Sequence, residues 1–153
     1  MNLGTETNAE LCHLLQIFLE CALLGKPYPG QDTPYTFFPD IEIVKHQQEI
    51  FVSDRNLGGP CQVEIPGKSI EFLSDEEIQE RANAIGDFPY FALTEAEIGQ
   101  DEATLSLQLA WATSEESKQS GKLMLSGGGV RVRFQCIEGE WQAPMGPMAT
   151  WMA

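Results

Sequence analysis

The segment from residue 8 to about residue 24 is apolar on nearly every side when it is placed on a helix. Five apolar residues follow the helical i, i+3, i+4 spacing: Leu11, Leu14, Leu15, Phe18 and Ala22. Further apolar residues occupy the flanks: Ile17, Leu19, Leu23 and Leu24. Only His13, Gln16 and Glu20 form a narrow polar stripe, so the helix must be buried on most sides. A helix on a flat sheet needs one apolar face, and we therefore expect this one to lie within the bend of a sheet.

The ends of this helix carry recognisable signals. Thr7 followed by Glu10 is a capping-box pattern, which predicts a start near residue 8. Gly25 and Pro27 predict its end. The proline-rich stretch 26–40 is then expected to be an ordered connection that buries aromatic rings.

The second half of the chain has the two-residue period of half-buried strands. Leu105, Leu107, Leu109 and Trp111 alternate with the opposite set Thr104, Ser106, Gln108 and Ala110. Residues 130–136 alternate in the same way, and Glu138-Gly139 predicts a tight hairpin into a strand that holds Trp141. Between these strands the apolar parity switches, which indicates either a β-bulge at Gly127-Gly128-Gly129 or a core-facing Met124.

The middle of the chain predicts two strands and a short helix. Residues 41–52 and 61–72 are rich in β-branched and aromatic residues, and a hairpin around the turn-forming residues 56–60 is the simplest connection. Ser74 and Glu77 form a second capping box, followed by Ile78, Ala82 and Ile85 on one helical face. Taken together, residues 1–153 predict a single α+β domain, with the N-terminal helix packed in a strongly bent antiparallel sheet.

The charge of the chain limits its partners. The chain has 23 acidic and 9 basic residues, a net charge of −14. Nucleic acids and acidic membranes bind through Lys and Arg, so neither is an expected partner. The acid-rich stretch 71–102 is interpreted as a solvated surface, with a docking surface for a basic partner as the alternative. No signal peptide and no apolar run of about 18 residues is evident, so we expect a cytoplasmic protein.

The cysteines and histidines give no pattern typical of a metal or cofactor site. The four cysteines have no C-x-x-C spacing, and Cys12 and Cys21 fall on opposite sides of the first helix. We expect all four to be reduced packing residues. Because the only histidines are His13 and His46, we expect no metal ion and no cofactor.

Motifs of phosphate binding and hydrolysis are incomplete or absent. Gly67-Lys68-Ser69 lacks the earlier glycine of a P-loop and is interpreted as a turn. No Gly-x-Ser-x-Gly elbow occurs. The one acid–base pairing that the sequence offers is His46, expected in a strand, with Asp40 or Asp54, and a surface histidine is the favoured interpretation.

The order of these elements resembles the NTF2-like superfamily. The local resemblance rests on residues 130–141, Val-Arg-Val-Arg-Phe-Gln-Cys-Ile-Glu-Gly-Glu-Trp, which are similar to the late strand, turn and tryptophan of such proteins. The resemblance implies a cone-shaped sheet around helices with an internal cavity. Members include isomerases, dehydratases, hydrolases and non-catalytic binding domains, so it does not imply one chemistry.

Three hypotheses follow for function. The first, which we favour, is a small apolar ligand held in a cavity between helix and sheet, with the site residues Trp111, Tyr90, Phe91, Trp141 and His46. The second is a non-catalytic dimerisation or adaptor module that uses the outer sheet face bearing Thr104, Ser106, Gln108, Arg131 and Arg133. The third is catalysis in the same cavity, with His46 or a buried carboxylate as the base.

Overall fold

The computed structural model describes residues 3–33, 44–57, 61–119 and 129–150, and it begins with a long helix. This helix, α1 (Leu3–Leu24), starts before the predicted residue 8. Because α1 continues through Thr7, the predicted start is wrong. The predicted end is confirmed, since Gly25 follows with a φ of 72°, a left-handed conformation common at helix ends.

From residue 9 onward, α1 is buried on most of its sides, as its sequence predicts. Four of its side chains are 0 % exposed: Leu14, Leu15, Phe18 and Leu19. The predicted polar stripe is the side that reaches solvent, with His13 exposed and Gln16 and Glu20 half-buried. Although α1 is long and rich in leucine, neither it nor any other helix in the described ranges meets the length and hydropathy of a membrane span.

Seven strands form one sheet that curls strongly into a half-barrel. They are β1 (Glu49–Ser53), β2 (Ser69–Leu73), β3 (Phe88–Ile98), β4 (Glu102–Ala112), β5 (Gly129–Ile137), β6 (Glu140–Gln142) and β7 (Pro147–Thr150). Their order is β2-β1-β3-β4-β5-β6, and β7 pairs with the first half of β5. The curled sheet with a helix at its N-terminal end confirms the predicted α+β class and the bend.

The predicted hairpin between the first two strands is wrong. β1 runs parallel to both β2 and β3, so the sheet is mixed and not antiparallel throughout. Val63 and Ile65, which contributed to the predicted strand 61–72, are buried from an irregular segment before β2. Gln16 of α1 takes the place of a neighbouring strand there. Its side chain donates to the carbonyl oxygen of Glu64 at 2.7 Å and accepts from the Glu64 N–H at 2.9 Å.

The turn before β2 is built around a lysine. Gly67-Lys68-Ser69 leads into β2 as a turn, as predicted. The Lys68 ammonium group donates hydrogen bonds to the carbonyl oxygens of Lys45 and Gln47. These bonds hold the turn against the chain that enters β1, so the two parallel strands start side by side.

The long strand β4 confirms the alternation in its sequence. Its inward residues are 0 % exposed: Leu105, Leu107 and Leu109. The partner strand β3 contains a bulge, because the pairing register shifts between Leu93 and Glu95. Of the bulge predicted at residues 127–129, only Gly129 is described, as the first residue of β5, and Met124 lies outside the described residues.

The second capping box is confirmed at the start of α2 (Asp75–Ile85). The backbone N–H of Glu77 donates to the Ser74 hydroxyl at 3.2 Å, and the backbone N–H of Ser74 donates to the Glu77 carboxylate at 3.0 Å. These bonds lower the pKa of the Glu77 carboxyl below its ordinary value. A third, short helix, α3 (Glu115–Gln119), follows β4.

α2 covers the face of the sheet that α1 does not contact. Its Ile78 and Ala82 pack with Phe51 and Phe88 in a second apolar cluster, separate from the core around α1. Ile85 was expected on the same buried stripe, but it is 64 % exposed. The helix ends at this residue, so no further turn continues the buried face. The sheet is therefore buried on both sides at the β1–β3 end.

Two of the four cysteines form a disulfide, which corrects the prediction that all four are reduced. Cys12 of α1 and Cys61 are bonded, with their Cα atoms 5.4 Å apart. Cys21 and Cys136 are free thiols, as predicted. Sequence spacing could only exclude a bond between Cys12 and Cys21 on one helix. The bond that forms depends on the tertiary packing of the irregular segment 61–65 against α1.

Candidate functional site

A cleft of about 590 Å³ opens where α1 meets the hairpin of β5 and β6, and we call it the Trp141 cleft. Three parts of the chain besides the hairpin contribute to it: α1, the segment after α1, and the turn between β3 and β4. The lining residues are Ala9, Glu10, His13, Pro29, Gly99, Gln100, Cys136, Gly139, Glu140 and Trp141.

The β5–β6 hairpin places the indole in this cleft. Glu138 and Gly139 have φ values of 53° and 82°, and two consecutive left-handed residues give the tight hairpin turn that the sequence predicts. Cys136 pairs directly with Trp141, so both side chains leave the same face of the sheet. Phe134, two residues before Cys136, lies in the core, so this face is the one turned toward α1.

A hydrogen bond joins the hairpin to α1. The Nε1–H of Trp141 donates a hydrogen bond to the Glu10 carboxylate at a distance of 2.5 Å, and the two residues are 131 positions apart in sequence. A carboxylate acceptor makes such a bond stronger than one between neutral groups. The sequence patterns pointed to Glu10 only as part of a capping box, and nothing in them indicated this partner.

The segment after α1 forms a further wall. The Pro29 carbonyl oxygen accepts from the Ala143 N–H at 2.7 Å, and the Gln31 side-chain amide donates to the Ala143 carbonyl oxygen at 2.8 Å. These bonds hold the connection against the end of β6. Tyr28 beside Pro29 is buried, which agrees with the predicted burial of aromatic rings in this connection. Residues 34–40 of the connection lie outside the described residues.

The aromatic residues predicted to line one cavity are distributed differently. Trp141 lines the Trp141 cleft, whereas Tyr90 and Trp111 line a separate cleft of about 280 Å³ beside α2. Although both residues line this cleft, their side chains leave opposite faces of the sheet, because Tyr90 pairs with Ala110 and Trp111 pairs with Pro89. Phe91 is 0 % exposed in the core.

Burial also sets the ionisation of Tyr90. It raises the pKa of the Tyr90 hydroxyl above its ordinary value, with the Asp75 carboxylate adding to the rise and Arg55 opposing it. Tyr90 is therefore a neutral phenol at physiological pH. In that form it can donate one hydrogen bond but cannot act as a base.

His46 does not occupy the position expected of it. It lies in a turn that follows two helical residues, not in a strand, and its side chain is exposed. The strand prediction failed because the carbonyl groups before β1 are held by Lys68 and not by a neighbouring strand. Asp54 is also exposed, and no hydrogen bond joins it to His46 in the described part of the chain. Asp40 lies outside the described residues.

The outer face of the sheet carries a row of charged side chains. Arg131 donates to the Glu95 carboxylate at 2.9 Å, and the Ser106 hydroxyl donates to it at 3.0 Å. These bonds, the one from Arg131 first, lower the pKa of the Glu95 carboxyl below its ordinary value. The predicted outward direction of Ser106 holds, but Ser106 is buried by these neighbours.

A second row lies beside the first. Glu97 and Arg133 are the partners of Thr104 on its two sides, on β3 and β5 respectively. In the described ranges neither side chain forms an ion pair or hydrogen bond, and both are exposed. Gln108, also predicted on this face, is half-buried.

The side chains that could hold a metal ion are not clustered in the part of the chain that the structure describes. Within residues 3–33, 44–57, 61–119 and 129–150, no three His, Cys, Asp or Glu residues are grouped to hold a metal ion. The described residues form an α+β half-barrel that carries the Trp141 cleft and the cleft beside α2. No protein-family model, no curated protein and no solved structure matches the chain.

Proposed function

We propose that this protein binds a small, largely apolar molecule in the Trp141 cleft. The observation that carries the proposal is the open space of about 590 Å³ between α1 and the β5–β6 hairpin, with an indole in its wall. Small-molecule sites commonly enclose about 300–1,000 Å³ and combine apolar walls with a few polar groups. The lining contains both kinds of group: Ala9, Pro29 and Trp141 are apolar, whereas Glu10, His13, Gln100 and Glu140 are polar.

The Trp141 cleft occupies only one end of the internal cavity that kinship with the NTF2-like superfamily would imply. We retain that kinship as part of the proposal. Trp141 stays in the site. Phe91 leaves it, because a side chain with 0 % exposure cannot contact a ligand unless the core opens. We assign no reaction to the cleft, since His46, the base considered from sequence, is not among its lining residues.

A cleft-filling substitution tests the proposal. Ala9 is an exposed lining residue of α1, so Ala9→Trp should occupy the cleft without removing a core side chain. Ala84→Trp makes the same change at an exposed position of α2 and serves as the control. The measurement is ligand-detected NMR with a mixture of small aromatic and aliphatic fragments.

We expect fragments that bind the wild type and Ala84→Trp to lose at least about tenfold in affinity for Ala9→Trp, a change of about 1.4 kcal/mol. Fragment signals that are the same for all three proteins would rule out the Trp141 cleft as the site. Circular dichroism of each variant checks that both keep the wild-type fold.

A second candidate function is self-association through the outer sheet face, and the charges of that face favour it. Glu97 and Arg133 lie on opposite sides of Thr104. A two-fold axis that runs parallel to β4 past Thr104 would bring Glu97 of each copy beside Arg133 of the other, as an isologous interface requires. Met148, which is 58 % exposed and opposite Arg131, adds apolar surface to the same face.

Charge reversal tests this interface. Arg133→Glu should weaken the dimer in sedimentation velocity by about tenfold, because like charges would then face each other. The double variant Glu97→Arg/Arg133→Glu should restore association, since it exchanges the two charges. Wild-type protein that sediments as a monomer at every concentration would eliminate the candidate.

A further inference from the structure

The charge of the lining residues distinguishes the Trp141 cleft from a general apolar cleft. Glu10 and Glu140 contribute two carboxylates, and no Lys or Arg is present among the described lining residues. We propose that the ligand of the Trp141 cleft is a small organic cation, an ammonium group carried on an apolar body. This inference rests on the proposed function and adds the chemical class of its ligand.

The indole of Trp141 offers an aromatic face to a cation. An ammonium group is attracted to the face of an aromatic ring, and tryptophan is the most effective ring for this interaction. The apolar body of the ligand would at the same time contact ring surface that is otherwise in water. Trp141 is the aromatic residue in the lining and is half-buried against the core, so part of its surface remains accessible.

Glu10 offers a negative charge beside this ring. Its carboxylate accepts one hydrogen bond from the Trp141 indole. A carboxylate has about four lone-pair sites, so most of its acceptor capacity remains for a ligand. The hydrogen bond fixes the indole and the carboxylate relative to each other. A cation that contacts both the face of the indole and the remaining lone pairs of Glu10 would therefore meet a site that is organised before binding.

The arrangement favours an organic cation over a metal ion. A metal ion bound by protein requires several ligands close together, and no group of three such side chains is found in the described ranges. The overall charge of −14 favours the binding of cations in general, because a negative protein attracts them over long distances and raises their rate of association. Binding of the cation should therefore weaken as the salt concentration rises.

Three probes of similar size and different charge test the inference: 2-phenylethylammonium, 2-phenylethanol and phenylacetate. Isothermal titration calorimetry on the wild-type protein should give an affinity for the ammonium at least about tenfold above that for the alcohol, and still weaker binding of phenylacetate. Glu140→Gln should reduce the preference for the ammonium severalfold and leave the affinity for the alcohol unchanged. Glu138→Gln is the matched control, because Glu138 is exposed on the same hairpin and does not line the cleft.

The outcomes separate the two proposals. If the alcohol binds as tightly as the ammonium and Ala9→Trp abolishes both, the cleft is a ligand site and the inference of a cation is overturned. If Glu138→Gln reduces the preference as much as Glu140→Gln, the preference comes from the overall charge, which also overturns the inference. If Ala9→Trp changes the binding of no probe or fragment, the proposed function falls together with the inference.

Discussion

At the scale of single residues, Trp141 and Glu10 show how far the sequence leads. The alternation of β5 and the turn at Glu138-Gly139 were sufficient to place Trp141 on a strand after a hairpin, and the structure agrees. Its partner Glu10 could not be predicted, because the hydrogen bond joins residues 131 positions apart and no local pattern reports such contacts. The strand prediction for His46 failed for a related reason, since the backbone next to it is held by Lys68, which is distant in sequence.

At the scale of elements, local signals succeeded where the partners of an element are close in sequence. The Ser74–Glu77 capping box and the alternation of β4 are examples, because both depend on neighbours within a few residues. The segment 61–65 is the opposite case. Its β-branched residues suggested a strand, but Gln16 and the Cys12–Cys61 disulfide attach it to α1 and no sheet ladder forms there.

This attachment gives a prediction for the disulfide. The bond joins cysteines that are 49 positions apart in sequence, and loss of a bond of this kind commonly costs about 2–4 kcal/mol, mainly by enlarging the unfolded ensemble. We therefore expect Cys12→Ser/Cys61→Ser to lose about 2–4 kcal/mol of unfolding free energy in urea titration. Cys136→Ser is the control, because Cys136 is a half-exposed free thiol.

A thiol count accompanies this measurement. Unfolded protein that has not been reduced should show two thiols to a thiol reagent, and four thiols would contradict the disulfide. In the folded protein Cys136 should react first. Burial, with a smaller effect of Glu20, raises the pKa of the Cys21 thiol to about 12, and the thiolate is the reactive form.

The Cys12–Cys61 disulfide also bears on the cellular compartment of the protein. Disulfides persist in oxidising environments and are rare in the reducing cytosol. The cytoplasmic location expected from the sequence stays a prediction, and the redox state of Cys12 and Cys61 in the cell tests it. Alkylation of thiols in intact cells, followed by electrophoresis without reductant, reports the state of this pair where the protein normally resides.

At the scale of the whole molecule, the bend of the sheet was predictable and its strand directions were not. The bend followed from an α1 that is apolar nearly all round, and α1 is indeed buried on most sides. The parallel pairing of β1 with β2 and β3 is non-local and leaves no distinct pattern in strands of five residues. The same limit applies to the site. Aromatic content suggested a pocket, but the faces from which Tyr90 and Trp111 leave the sheet depend on the register of β3 and β4.

The Trp141 cleft exists only if α1 contacts the β5–β6 hairpin through the hydrogen bond between Glu10 and Trp141. Hydrogen exchange of the Trp141 indole N–H, followed by NMR, measures this contact most directly. Because hydrogen bonds to charged groups contribute about 1.5–3 kcal/mol, we expect exchange at least about tenfold slower than for an exposed indole, and we expect Glu10→Gln to remove most of this protection while Glu138→Gln does not. An indole N–H in the wild type that exchanges as fast as an exposed one would contradict the account.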